Sequence, residues 1–203
     1  LLPDYSGGAP LVWAMINGES STGITLFQMD GGVDSGPIVG QSSETIHPDD
    51  TIATLYVRIE KRGFELLSRS LPDLASGKFC LKAQDEGARR VFPQRSRVDG
   101  KIDWGSDAIE IERFIRAQTR PYPGAFTLLE DEPLTIWSAS IRNDNSSVKP
   151  GTIFRCGENL LVTTGSVQLE LGEVSFRGKD YDPEEICEVL DAIHPRHGIV
   201  FEE

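Results

Sequence analysis

The first part of the chain alternates between apolar stretches of helical character and apolar stretches rich in β-forming residues. The segment PLVWAMIN (residues 10–17) opens with a proline, which suits the first turn of a helix, and the following NGE breaks it. Two β-rich stretches come next, GITLFQM (23–29) and PIVGQSSETI (37–46), separated by the turn-rich DGGVDSGP. This order predicts a helix followed by two strands that a loop joins.

A longer helix is predicted over residues 47–71, where Asp49 or Asp50 can cap the first turn. Its apolar residues recur at a roughly helical spacing: Ile52, Leu55, Ile59, Leu66 and Leu67. A strand, a loop, a strand and a helix in this order predict an α/β unit. One such unit cannot bury both faces of its sheet, so residues 1–83 are expected to be part of a larger α/β layer.

The second part of the chain has a different pattern. Residues 84–100 are polar and basic without a sustained period, and we interpret them as a linker. A helix is predicted over 106–120 with Ser106 as its cap, and RPYPGAF ends it. Five short strands separated by turn residues follow: FTLLE (126–130), LTIWSASI (134–141), GTIFRC (151–156), NLLVTTG (159–165) and VQLELGEVSF (167–176). An acidic helix over 182–193 closes the chain. Residues 101–203 are therefore expected to form a small β-barrel or sandwich domain.

Composition narrows the choice of partners. Of the 203 residues, 38% are hydrophobic and 26% are charged, as in an ordinary globular protein, and the formal net charge is −12. Residues 102–203 contain 19 acidic and 9 basic side chains, whereas residues 84–101 contain 3 acidic and 5 basic ones. An acidic second half disfavours extensive nucleic-acid binding, although a single basic pocket can still hold a small anionic substrate.

Cysteine usage and hydropathy suggest the compartment. Cys80, Cys156 and Cys187 are odd in number and widely spaced, so they fit neither a disulfide framework nor a metal cluster. We expect inert thiols in the reducing cytoplasm, and no metal. The sequence shows no apolar run of the roughly 20 residues that span a bilayer, and no segment typical of a signal peptide.

The loop MDGGVDSGP (29–37) is the strongest candidate for chemistry. The glycine pair Gly31 and Gly32 permits close approach of backbone to a ligand, or positive φ. Asp34 lies at the lip of a strand, where a carboxylate can orient a base, relay a proton or hold a cation. An Asx-type turn is the structural alternative. The spacing lacks the acidic ladder of an EF-hand calcium loop.

The stretch from Leu1 to Val39 resembles the family of 10-formyltetrahydrofolate-dependent formyltransferases, which includes methionyl-tRNA formyltransferase and the sugar N-formyltransferases. The positions that match the family pattern are Leu1, Leu2, Pro3, Tyr5, Gly7, Ala9, Pro10, Trp13, Asn17, Gly18, Glu19, Thr22, Gly23, Thr25, Asp34 and Gly36. The similarity continues through KIDW (101–104) and IRAQTRPYPGAF (115–126) and fades after about residue 175. It implies the C-terminal part of a doubly wound α/β catalytic domain, then a small OB-like β-barrel.

The resemblance also implies a mechanism. An amine attacks the formyl carbon of 10-formyltetrahydrofolate, and the family uses an Asn, a His and an Asp in this step. Asp34 matches the Asp, whereas the Asn and His of the pattern fall five and three residues before Leu1. The isolated chain is therefore expected to be an inactive fragment. The folate pteridine is expected against the backbone of the loop before Asp34: Met29, Asp30, Gly31, Gly32 and Val33.

Tyr5, Trp13 and Arg95 are the candidates for binding the amine substrate. Trp13 can stack on a base or sugar, with packing of its own helix as the alternative. The linker arginines can meet a diphosphate through forked hydrogen bonds or can be solvated charge: Arg89, Arg90, Arg95 and Arg97. Asp4 and Ser6 stand where many relatives have basic residues. We interpret His47, His194 and His197 as surface or capping histidines.

Three functions remain open at this point. The leading hypothesis is formylation of a nucleotide-linked amino sugar, because the acidic second half is unsuited to tRNA. The alternative is a methionyl-tRNA formyltransferase. The third hypothesis is a non-catalytic fragment or binding remnant. A homodimer is a further partner to test, and no membrane partner is expected.

Overall fold

The computed structural model of the protein describes residues 1–144, 148–193 and 199–200, and the chain divides into two compact units, Leu1–Arg95 and Ser96–Glu203. The first unit is an α/β structure, as its sequence pattern predicts. Its helices and strands are β1 (Tyr5–Gly7), α1 (Pro10–Ile16), β2 (Ser21–Phe27), β3 (Ile38–Thr45), α2 (Ile52–Ser76) and β4 (Arg90–Phe92). His194 and His197, which we interpret as surface or capping residues, lie outside the described residues.

Strands β2 and β3 form an antiparallel pair, in which Ser21 lies opposite Thr45 and Leu26 opposite Gly40. The long helix α2 packs against this pair. Its buried side chains recur with the helical spacing that the sequence shows: Ile52, Leu55, Ile59 and Leu66. Leu67, which the sequence assigns to the same apolar set, is instead 46% exposed.

The start of α2 differs from the sequence-based expectation. The cap is Thr51, not Asp49 or Asp50. The Thr51 hydroxyl accepts a hydrogen bond from the Thr54 N–H at 3.3 Å, and the Thr54 hydroxyl accepts one from the Thr51 N–H at 3.1 Å. This reciprocal pair is a capping box with threonine at both positions. Asp50 is unavailable as a cap because its carboxylate binds Arg58.

Regular structure is also present in the stretch 84–101, although the sequence shows no periodic pattern there. A 3₁₀ turn covers Glu86–Ala88, and β4 follows it. Strand β4 pairs with β1 in parallel, so that Tyr5 lies opposite Arg90 and Gly7 opposite Phe92. The described residues of the first unit therefore contain two two-stranded sheets rather than one continuous parallel sheet.

The second unit contains the helices α3 (Ala108–Gln118) and α4 (Pro183–Ile193), both expected from the sequence. Its strands are β5 (Ala125–Leu129), β6 (Glu132–Ile136), β7 (Ala139–Arg142), β8 (Thr152–Cys156), β9 (Asn159–Thr163), β10 (Gln168–Leu171), β11 (Val174–Phe176), β12 (Lys179–Tyr181) and β13 (Ile199–Val200). The cap residue of helix α3 is Asp107, not the expected Ser106, and the Asp107 side chain makes no capping hydrogen bond. The Ala108 N–H instead donates to the Ser166 hydroxyl at 3.1 Å.

The β-strands of the second unit form two sheets, in the orders β12-β11-β6-β5 and β13-β8-β9-β10-β7. The OB-like closed barrel that the resemblance implies is not seen among the described residues. Two segments that the sequence predicts as single strands are each divided between the two sheets. LTIWSASI (134–141) divides into β6 and β7, and VQLELGEVSF (167–176) into β10 and β11, and each passes from one sheet to the other.

The two crossing points lie side by side. The Trp137 N–H donates to the Glu173 carbonyl at 2.9 Å, and the Gly172 N–H donates to the Ser138 carbonyl at 2.9 Å. The inward side chains of both sheets and of α3 and α4 form one hydrophobic core, which includes Ile115, Leu134, Ile136, Val162, Leu169, Phe176 and Ile186. The candidate site belongs to the first unit.

Candidate functional site

A cavity of about 160 Å³ lies in the first unit, between the N-terminal segment and strand β2. Leu1, Leu2 and Tyr5 line it from the N-terminal segment, and Thr22–Thr25 line it from β2. Asp34 contributes the carboxylate. The lining is otherwise apolar or hydroxyl-bearing, so the charge of Asp34 is the distinctive feature of this cavity.

Asp34 reaches this cavity because of the loop between β2 and β3. The Gln28 N–H donates to the Pro37 carbonyl at 2.9 Å and closes the base of the loop. Asp34 adopts a φ of 54°, in the left-handed region that Asp tolerates better than most residues. The Gly7 N–H donates to Asp34 Oδ2 at 2.8 Å. No described residue donates to Oδ1, which leaves that oxygen to act on a proton or a cation.

The rest of the loop is exposed. Met29 is 86% exposed and Val33 is 66% exposed. The Asx-type turn that the sequence allows is made by Asp30, whose carboxylate accepts from the Gly32 N–H at 3.0 Å and from the Ser35 hydroxyl at 2.7 Å. The Ser35 and Gly32 hydrogen bonds lower the pKa of Asp30. Asp34 is therefore not needed for the turn.

The glycine pair of the loop does not adopt the positive φ that the sequence allows. Neither Gly31 nor Gly32 has a positive φ. A Cβ added at Gly31 would meet no atom within 4 Å, so the backbone there faces open space. The third glycine, Gly36, is essential to the loop, because a Cβ there would lie 1.7 Å from the Gln28 carbonyl oxygen.

Tyr5 faces the cavity with its ring but not with a free hydroxyl. The hydroxyl donates to Glu19 Oε1 at 2.7 Å and accepts from Asn17 Nδ2 at 3.1 Å. The ring stacks on Phe92 of β4 with centroids 4.7 Å apart. Burial is the main cause that raises the pKa of the Tyr5 phenol. Tyr5 is thus a rigid wall of the cavity.

Trp13 and Arg95, the other two candidates for substrate binding, lie together but are not among the residues that line this cavity. The Arg95 guanidinium carbon lies 4.7 Å from the centroid of the Trp13 ring. The Trp13 indole N–H donates to the Pro93 carbonyl at 3.0 Å, and its ring leans on Phe92 at 5.5 Å. Phe92 therefore links this cation–aromatic pair to Tyr5.

The arginines of the stretch 84–101 have defined partners in the first unit. Arg90 forms a forked ion pair with Asp4 and lies 5.0 Å above the Tyr5 ring. The hydrogen bond from Arg90 is the main cause that lowers the pKa of Asp4. Arg89 donates to the Ser6 hydroxyl at 3.3 Å. Asp4 and Ser6 are thus contacted by the guanidinium groups of Arg90 and Arg89.

Sequence reasoning misses Gln84 next to the site, and it assigns Arg89 to a diphosphate or to solvated charge and not to this loop. Gln84 donates to the backbone of Asp34 and Gly36, and Arg89 donates to the Val33 carbonyl. No periodic pattern marks them. The backbone pairing of Ile38 with Lys82 brings this stretch to the loop, and that pairing joins residues far apart in sequence.

The described part of the chain offers no group of three or more His, Cys, Asp or Glu side chains that could hold a metal ion. Cys80 and Cys156 are exposed and Cys187 is buried, and all three are free thiols. Burial is the main cause that raises the pKa of Cys187. No helix in the described ranges has the length and hydropathy needed to cross a membrane.

Two family models match the chain. The formyl transferase model covers residues 1–71, and the model of the formyl transferase C-terminal domain covers residues 95–189. The chain belongs to the formyl transferase family. The two matches fall one on each compact unit, and the first contains Asp34, the loop before it and the cavity.

Solved structures with the same fold are distant in sequence. HypX from Aquifex aeolicus in complex with tetrahydrofolic acid is 19% identical with a TM-score of 0.73, and the match covers 99% of this chain and 37% of that one. An N-formyltransferase from Helicobacter canadensis in complex with folinic acid and dTDP-3-aminofucose is 19% identical (TM-score 0.67; 89% and 63% covered). Methionyl-tRNA formyltransferase from Clostridium thermocellum is 22% identical (TM-score 0.60; 88% and 66% covered).

These likenesses show the fold. The chain spans 34–37% of the length of the HypX chains that it matches.

Proposed function

We propose that this chain carries the aspartate and the folate-facing loop of a formyltransferase site, which transfers a formyl group from 10-formyltetrahydrofolate to a primary amine. The observation that carries the proposal is Asp34. It lines the cavity, the Gly7 N–H fixes one carboxylate oxygen at 2.8 Å, and no described residue donates to the other. The family match supports the same reaction.

The role of Asp34 follows from the bonds that change. The amine nitrogen bonds to the formyl carbon, the bond from that carbon to N10 of the folate breaks, the amine loses a proton and N10 gains one. A proton carrier must work between the two nitrogens, and a carboxylate can orient it and stabilise its charged form. The fixed Oδ2 of Asp34 holds the side chain in place, and Oδ1 is left for the carrier.

The loop before Asp34 fits a folate ring. The residues from Met29 to Val33 are all exposed, and the absence of side-chain bulk at Gly31 leaves open space beside the main chain. Backbone N–H and C=O groups can then pair with the polar edge of a pteridine. The HypX and Helicobacter canadensis structures contain tetrahydrofolic acid and folinic acid, which supports a folate as the formyl donor.

The acceptor that the chain favours is the amine of a nucleotide-linked amino sugar. Trp13 with Arg95 offers an aromatic ring beneath a guanidinium, which is suited to a base or sugar next to phosphate. The Helicobacter canadensis relative was solved with such a nucleotide sugar. Methionyl-tRNA is the second candidate, because the Clostridium thermocellum enzyme shares the fold. The 19 acidic and 9 basic side chains of residues 102–203 favour the sugar.

The free thiols support a reducing setting such as the cytoplasm.

Self-association as a homodimer is part of the proposal, and sedimentation of the protein at several concentrations tests it.

The experiment that tests the reaction follows release of tetrahydrofolate by the natural polypeptide that contains these residues. In Asp34→Asn the amide oxygen still accepts from Gly7, but the negative charge is lost. We expect kcat to fall by about 10²- to 10⁴-fold, the usual contribution of a group in general acid–base catalysis. Asp49→Asn, the same change at an exposed position, is the matched control. Wild-type turnover by Asp34→Asn would contradict the assignment of Asp34.

A further inference from the structure

Beyond Asp34 and the loop that carries it, we propose that Gln84 is a positioning residue that holds Asp34 in its working conformation. This inference rests on the proposed function, because it assigns a role in the same site. Gln84 lies outside the loop that carries Asp34 and 50 positions further along the chain. It acts on the main chain of that loop and does not line the cavity.

The geometry is a clamp of two hydrogen bonds. The Gln84 carboxamide nitrogen, Nε2, donates to the Asp34 carbonyl at 2.8 Å and to the Gly36 carbonyl at 2.6 Å. Both hydrogens of the amide group are therefore used on one short piece of backbone. This piece contains the left-handed residue Asp34, whose φ is 54°, a conformation that a non-glycine residue keeps only when its surroundings impose it.

The carbonyl oxygen of the Gln84 amide supports the same role. Gln84 Oε1 is buried, and no described residue donates a hydrogen bond to it. A buried acceptor without a partner is unfavourable, and such groups in native structures call for a reason. The reason here is that both donors of Gln84 hold the loop. A side chain kept only for packing would not need the amide.

Arg89 supports the clamp from the same stretch. Its guanidinium donates to the Val33 carbonyl and to the Ser6 hydroxyl, so it ties the loop to strand β1. On the other side of the loop, Asp34 Oδ2 accepts from the Gly7 N–H, which belongs to the same strand. The carboxylate thus has a fixed place because its backbone is held by Gln84 and its neighbour Val33 is held by Arg89.

The Gly7 amide provides a direct readout of the clamp. Its hydrogen bond goes to the Asp34 carboxylate, so its hydrogen exchange reports whether that carboxylate stays in place. Gln84→Met keeps the length of the side chain and has no N–H donor. We expect Gly7 exchange in Gln84→Met to be faster by at least about tenfold, because both hydrogen bonds that hold the backbone of Asp34 and Gly36 are lost. Val57→Met, which puts the same side chain at an exposed position of α2, is expected to leave Gly7 exchange as in wild type.

Steady-state kinetics distinguish a positioning role of Gln84 from a purely structural role. In the natural polypeptide, we expect Gln84→Met to lower kcat by about tenfold while KM for the amine stays within twofold, because Asp34 acts in the chemical step. Gln84→Glu, which cannot donate when ionised, is the second variant and is expected to behave in the same way. Circular dichroism spectra must match wild type, so that unfolding does not produce the loss.

The outcomes have distinct meanings. Faster Gly7 exchange together with lower kcat in a folded variant supports the assignment. Unchanged Gly7 exchange in both folded variants would overturn the clamp, and faster exchange with unchanged kcat would overturn its link to catalysis. If the unsubstituted protein transfers no formyl group, the proposed function fails, while the exchange experiment still decides whether Gln84 holds Asp34.

Discussion

Gly36 sets the path of the loop that presents Asp34, because the chain passes against its own backbone there. A Cβ at Gly36 would lie 1.7 Å from the Gln28 carbonyl oxygen and 2.9 Å from the carbonyl carbon. Neither atom can move without opening the base of the loop. Gly36→Ala should therefore lower the free energy of unfolding by about 1–3 kcal/mol, the usual cost of overpacking, and displace Asp34.

Gly31→Ala is the matched control for this prediction. Its Cβ would meet nothing within 4 Å, and its φ is not positive, so the free energy of unfolding should stay within about 0.5 kcal/mol of wild type. Urea denaturation of both variants measures the difference. Equal stability of the two variants would show that the loop relaxes around Gly36.

The residues of the site differ in how far the sequence alone reveals them. Asp34 is visible because turn residues and a β-rich stretch place it at the lip of a strand. Tyr5 is visible from the family pattern, but its hydroxyl bonds with Asn17 and Glu19 depend on folding. Gln84 is invisible, since its partners lie 48 and 50 positions away and no local pattern encodes such a contact.

Helix α2 illustrates the same limit for an element. Its apolar spacing predicts the helix, and the structure confirms it, but the cap was wrong. Two acidic residues precede the helix, and acidic residues are good caps in general. The choice of cap depends on Arg58, which lies about two helical turns after Thr51. Arg58 binds the Asp50 carboxylate and leaves the capping to Thr51.

The capping box of α2 gives a prediction about stability. Thr51→Ala removes the hydroxyl that accepts from the Thr54 N–H, and we expect the free energy of unfolding to fall by about 1 kcal/mol. Thr51→Ser keeps the hydroxyl and should restore most of the loss. Thermal unfolding followed by circular dichroism measures both. A serine variant as unstable as the alanine variant would show that the methyl group, not the cap, is responsible.

Asp50 gives a prediction about pH. Its carboxylate binds the Arg58 guanidinium, with Nη1 to Oδ1 at 2.7 Å, and accepts from the His47 N–H at 2.7 Å. The Arg58 hydrogen bonds are the first cause that lowers the pKa of Asp50 well below its ordinary value. A lowered pKa contributes stability that is complete above the ordinary pKa of about 4 and is lost as the pH falls towards the folded value.

Asp50→Asn should consequently lower the free energy of unfolding by about 2 kcal/mol at pH 7, given that Arg58 is partly exposed. Below pH 4 the difference between variant and wild type should shrink. Urea denaturation between pH 7 and pH 2.5 measures it, with the exposed Asp49→Asn as control. A difference that does not change with pH would mean that the charge of Asp50 is not what stabilises α2.

At the scale of the whole molecule, the local sequence pattern predicts the strands of the second unit but not how they are arranged in two sheets. Each of two apolar runs was predicted as one strand, and each bends between two sheets, at Trp137–Ser138 and at Gly172–Glu173. The bends depend on hydrogen bonds between the runs, which lie more than 30 positions apart. In both runs the alternation of apolar residues shifts by one position at the bend, between Ile136 and Ala139 and between Leu171 and Val174. The prediction of single strands overlooks this shift, which moves the apolar side chains to the other face of a continuous strand.

The charge of the whole chain leads to the prediction that decides between the two acceptors. The formal net charge is −12, and Arg90, one of the basic residues near the cavity, is already paired with Asp4. A polyanion such as tRNA would meet mostly repulsion, and its binding would depend steeply on salt. A nucleotide sugar needs only one local basic group, for which Arg95 above Trp13 is the candidate.

We therefore expect methionyl-tRNA to bind the natural polypeptide weakly even at low salt, and a nucleotide-linked amino sugar to bind with little salt dependence. Filter binding measures the tRNA affinity and calorimetry measures the affinity for the nucleotide sugar, each between about 50 and 200 mM salt. A tRNA affinity that depends on several phosphate contacts changes by orders of magnitude over that range. Arg95→Met should weaken the nucleotide sugar about tenfold, since it removes the charge and keeps the aliphatic stem over Trp13. Tight, salt-sensitive binding of tRNA would instead make methionyl-tRNA the acceptor and show that the acidic side chains leave a basic surface free.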